Sequence, residues 1–148
     1  KRQYLLEKFN DGEVEIWGRR EHGKYTGRHY QGEMPREILN QNITNYSNFI
    51  LLSEVENTTP LVVKESLICG LGVVVTEPVA RELDTSKDFI DVIPEDKVND
   101  HDYVKEVVAR NKKVSRQIRK EIRRYGIDTF GLENILAYEY IPKLQSLL

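Results

Sequence analysis

A chain of 148 residues, 39% apolar and 31% charged, is long enough for one core that removes about 68–70% of its unfolded surface from water. A formal net charge of −2 argues against a whole-surface nucleic-acid binder, and no apolar run approaches the roughly 20 residues that cross a bilayer. The single Cys69 excludes an internal disulfide and a cysteine-built metal cage. No secretory leader opens the sequence, so a cytoplasmic setting is expected, and the N-x-S/T sequons at Asn42, Asn45 and Asn57 read as incidental.

Tyr4, Leu5, Leu6 and Phe9 fall at helical spacing and stop at Asn-Asp-Gly, after which Val14–Gly18 alternates as a strand does. Arg28–Gly32 is a second strand candidate. Pro35 then opens a helical segment in which Ile38, Leu39 and Ile43 share a face. Phe49–Leu52 reads as a strand, Pro60–Ile68 as a helix stopped by Gly70, and Gly72–Thr76 as a β-branched strand covered on both sides. Phe89–Ile93 is the last strand, closed by Pro94. The stretches Asp100–Tyr125 and Asp128–Leu148 read as two long helical segments broken near Gly126. Strands separated by helices predict one α/β domain over residues 1–148, with a Rossmann-like open parallel sheet flanked by helices and right-handed crossovers.

In such sheets ligands gather at the carboxyl ends of strands, where helix N-termini present free amides. The stretch from Ser53 to Glu77 has that character. Pro60 occupies a helix start, where its missing N–H costs nothing, and the amides of Leu61, Val62 and Val63 are expected to be free for an anion. Glu65 lies about one turn further in, where a carboxylate can accept two hydroxyls. Together these suit a ribose with a phosphate beside it.

The run "ENTTPLVVKESLICGLGVVVTE", with Asn48–Ser53 and the "HYQG" of His29–Gly32 before it, resembles the donor-binding, C-terminal half of GT-B retaining glycosyltransferases (the glycosyl transferases group 1 family) over nearly the whole chain. That resemblance implies a nucleotide-diphosphate sugar donor, UDP- or GDP-linked, with no cofactor and no metal. It implies that Glu65 holds the ribose hydroxyls, that Leu61 and Val62 contact the diphosphate by their amides, and that Lys1 neutralises it. Thr59, Pro60, Arg19 (or Arg20), Glu33 and Met34 complete the donor-binding set that it implies. The family's first acid, facing the donor sugar, falls on Glu56 if the doubled Thr58-Thr59 is a loop insertion, or on Asn57 without a gap; both stay open. Gly72 stands where the family often has Pro. The strand and Gly-containing loop that should precede Lys1, and the acceptor-binding half, are expected to lie outside this sequence, so the chain alone is expected to be inactive in transfer. A nucleotide-sugar epimerase of the same architecture and a non-catalytic nucleotide- or partner-binding module are the alternatives.

The remaining features have plain structural readings. Cys69 is a small residue at a helix end, and His29 a strand side chain. Asp100-His101-Asp102 imitates a metal motif but starts a helix, where an acid caps and meets the dipole favourably. The basic run from Lys112 to Arg124 invites a membrane or RNA partner. Val114, Ile118 and Ile122 recur behind it, so the solvated face of an amphipathic helix is the simpler expectation.

Overall fold

A computed structural model of the chain describes residues 2–18, 27–137 and 141–145. Within them β1 (Ile16–Trp17) and β2 (Tyr30–Gly32) pair in a small parallel sheet, and β3 (Asn48–Leu51), β4 (Gly72–Thr76) and β5 (Ile90–Ile93) form a second parallel sheet with β4 in the middle. The helices are α1 (Arg36–Asn42), α2 (Leu61–Ile68), α3 (His101–Gln117), α4 (Arg119–Phe130), α5 (Leu132–Ile135) and α6 (Ile141–Gln145). The expected α/β class with parallel strands is thus present, but as two small sheets. The first two strands are shorter than their sequence patterns, and the expected helix around Tyr4–Phe9 is the tighter 3-10 turn Gln3–Lys8.

The three-stranded sheet is covered on both faces, which explains the unbroken Val run. Every residue of β4 is buried. Successive side chains of a strand point to opposite faces, so Val74 joins Leu52, Ile93, Val104 and Val108 under α3, together with Leu6 and Phe9. Val73 and Val75 join Val63 and Leu67 of α2 and Ile122 of α4 on the other face. Val63, Leu67 and Ile122 are each 0% exposed, and full burial of such a side chain stabilises by about 1.5–3 kcal/mol. Val114 and Ile118 pack partly buried against this second cluster, as the amphipathic reading of the basic helix requires.

Helix ends follow their local chemistry. Pro60 precedes α2 with ψ 144° and φ −58°. At the other end Gly70 takes φ +81°, its amide donates to the Leu67 carbonyl (2.9 Å), and that of Leu71 donates to Ser66 (3.0 Å). This is a Schellman stop, for which glycine is the residue without strain. Asp100 caps α3 by accepting from the Tyr103 amide at 3.2 Å.

The expected break near Gly126 is wrong. α4 runs through Gly126, and the helical path is interrupted instead at Ile118 (φ −117°, ψ 27°) and at Gly131. Gly126 is small because α4 crosses α2 there, not because the helix ends. The two long C-terminal helices are correspondingly shorter, and only α3, with 17 residues, is long.

Under α3 the sequence reading missed a buried polar knot. Asn111, 0% exposed, donates through Nδ2 to the carbonyls of Val73 (3.2 Å) and Phe89 (3.1 Å) and to Asp91 Oδ2 (2.9 Å). Arg110 closes the other oxygen of Asp91, and the Ser115 hydroxyl donates to Asn111 Oδ1 at 3.3 Å. Gly72 leaves room for this knot, since a Cβ there would lie 2.0 Å from Ser115 Oγ and 2.7 Å from Asn111 Oδ1. It is the first residue of β4, as the sequence pattern has it. Among the described residues no helix is long and apolar enough to cross a membrane.

Candidate functional site

The segment leaving the carboxyl end of β3 is tied down twice by the neighbouring strand's end. The Thr76 hydroxyl donates to the Ser53 carbonyl, and Thr59 Oγ1 donates to the Val79 carbonyl (2.7 Å) while accepting from the Glu82 amide (3.2 Å). Ser53, Thr59 and Thr76 are all buried. From this anchored loop Ser53 Oγ donates to Glu56 Oε1 at 2.8 Å. Glu56 is half-buried and fixed, whereas Asn57 is exposed. The two candidates for the first acid therefore differ in their surroundings, and it is Glu56 whose carboxylate is held.

At the start of α2 one expectation is corrected. The Val63 amide is not free, because it donates to the Pro60 carbonyl at 3.0 Å, a 3-10-type closure of the first turn. The amides of Leu61 and Val62 precede the first intrahelical acceptor and remain at the tip. Leu61 is 62% exposed there. Glu65 lies one turn further in with its side chain 29% exposed, and its Oε1 accepts a charge-assisted hydrogen bond from Arg36 Nη2.

Arg36 opens α1 just beyond the end of β2. Gly32, the last residue of β2, takes φ +105°, and between the two elements Glu33 is exposed and Met34 is half-buried. The Glu33–Met34 turn and the Glu65 helix are thus linked through Arg36, a connection that nothing in the sequence announces. Lys1, Arg19 and Arg20 lie outside the described residues.

Arg2 is committed elsewhere. Its guanidinium holds Glu95 through both oxygens and lies 3.9 Å from Glu54, and its amide donates to the Leu52 carbonyl at 3.1 Å. The hydrogen bond to Glu95 raises the Arg2 pKa against the lowering effect of burial, and the same bond holds the Glu95 carboxyl below its ordinary value. The clamp fastens the start of the described chain across the ends of β3 and β5.

The other sequence candidates have structural partners. His29 is buried with Nε2 3.1 Å from the Phe9 carbonyl oxygen. Burial pushes the Cys69 thiol pKa up, disfavouring the thiolate. In the basic run, Arg116 donates to Ser47 Oγ (3.0 Å), Arg119 to the Thr44 carbonyl (2.6 Å) and Arg123 to the Ile68 carbonyl (3.2 Å). These three cations pin the helices to the amino edge of the three-stranded sheet.

An open groove of about 540 Å³ runs beside β5 and the loop before it, past Arg81, Lys87, Asp88, Asp91 and Arg110. None of Glu56, Pro60, Leu61 and Glu65 lines it. They lie instead along the segment that leaves β3 and opens α2. No protein-family model, no curated protein and no solved structure matches this chain.

Proposed function

We propose that this chain is the donor-binding part of a retaining, metal-independent glycosyltransferase, Rossmann-like in its sheet and taking a UDP- or GDP-linked sugar. One observation carries the reading: Glu56 and Glu65 flank the start of α2 at the carboxyl end of β3, the first fixed by Ser53 and the second by Arg36. On this reading the Leu61 and Val62 amides meet the diphosphate, with the helix dipole adding about 0.3–1 kcal/mol per charge. Thr59 and Pro60 shape that tip, Glu65 accepts the ribose hydroxyls, Glu33 and Met34 border the nucleoside, and Glu56 faces the sugar. Lys1 and Arg19 supply positive charge to the departing diphosphate, so that charge is stabilised where it develops.

One further feature supports the reading. β1 and β3 each pair on one side only among the described residues, and the Arg2 amide already reaches the end of β3. A preceding parallel strand, as the resemblance implies, would have such an edge to pair with.

Calorimetric titration of the chain with UDP, GDP and their sugar conjugates tests the proposal. Binding of a diphosphate in preference to the nucleoside is expected, and Glu65→Ala should weaken it about ten- to a hundredfold, the equivalent of a charge-assisted hydrogen bond. Unchanged affinity in that variant would sink the ribose assignment.

A further inference from the structure

We propose that Arg36 is a positioning residue for nucleotide recognition: it holds Glu65 so that the rest of the carboxylate faces a ribose diol. The inference rests on the donor-binding reading above and deepens it by adding a residue and a ligand preference. Arg36 begins α1 and Glu65 lies 29 residues later in the second turn of α2, so their contact joins two helices that follow different strands.

The contact is single-pronged, Nη2 to Oε1. A carboxylate has about four lone-pair sites, so Glu65 can keep this partner and still accept from two neighbouring hydroxyls. Glu65 is the recessed member of the pair at 29% exposure, and Arg36 the outer one at 67%. Without Arg36 the glutamate would have to lose its rotamer freedom when the ligand arrives. With it, that ordering is done beforehand, which favours binding. Because exposed ion pairs contribute little to folding, removing Arg36 perturbs recognition more than the fold.

The test compares a ribonucleoside diphosphate with its 2′-deoxy counterpart, UDP against dUDP, by calorimetry on the full chain. Wild type is expected to prefer the ribo form about tenfold or more, for one lost hydrogen bond to a charged group. Arg36→Ala should narrow that preference by about two- to fivefold, and Arg36→Lys should recover most of it. A general loss of structure would weaken both ligands alike. Arg36→Ala with the full wild-type preference, whatever its absolute affinities, overturns the proposal. Equal binding of the two ligands by wild type instead overturns the Glu65 ribose assignment, and binding of neither overturns the donor-binding reading; both take this inference with them.

Discussion

Gly126 of α4 lies directly against the backbone of Leu67 in α2: a Cβ built on it would sit 2.4 Å from the Leu67 carbonyl carbon and equally close to the Ile68 nitrogen. Backbone cannot step aside as a flexible side chain can, so the two helices cover their face of the sheet at this separation only because position 126 has no side chain. Gly126→Ala should therefore lower stability by about 1–3 kcal/mol through overpacking. Helix propensity alone would make the same change stabilising by about 1 kcal/mol. The sign of the shift in denaturation midpoint distinguishes a crowded helix crossing from an open helical position.

The clamp between Arg2 and Glu95 makes a pH prediction. Glu95 has a folded pKa below its ordinary value because Arg2 donates to its charged form. Its contribution to stability is present above the unfolded carboxylate value and disappears as pH falls through the folded one. Glu95→Gln should melt slightly below wild type at pH 7, and the two curves should converge below about pH 4. A difference in melting temperature that grows on acidification would contradict the assigned partner.

Glu56 and Asn57 can be told apart by ligand. If Glu56 faces the donor sugar, Glu56→Gln weakens the nucleotide-sugar about tenfold or more while leaving the nucleoside diphosphate unchanged. Asn57→Ala should alter neither. Ser53→Ala, which frees the Glu56 carboxylate, should shift the nucleotide-sugar in the same direction by less. An effect confined to Asn57→Ala would move the role by one residue.

Asp100 serves α3 as its cap. Asp100→Ala should cost about 1 kcal/mol of stability, and Asp100→Asn, which keeps a capping oxygen, much less. Nucleotide binding should persist in EDTA and in the Asp100→Asn, Asp102→Asn double variant. A titration that needs Mg²⁺ and vanishes in that variant would replace the helix-tip account of charge neutralisation.

Periodicity in the sequence was enough to determine the order of elements from Phe49 to Ile93. The Val run, the Pro60 start and the Gly70 stop are local signals whose physical causes lie within a few residues of one another: β-branched side chains, a missing amide and a positive φ. The Asp100 cap was legible for the same reason, as were the two acids on either side of Pro60. Tertiary structure decided what depends on partners far away in the chain. Gly126 carries the same local signal as a helix stop, and only the approach of Leu67 makes it a crossing point. Asn111 reads as an ordinary polar residue in a helix until Val73, Phe89 and Asp91 surround it. The partners that hold the two acids differ in the same way: Ser53 stands three residues from Glu56, within reach of local reading, whereas Arg36 reaches Glu65 only because α1 and α2 leave neighbouring ends of the fold. A side chain's neighbours across space are set by packing, and no pattern of spacing along the chain encodes them.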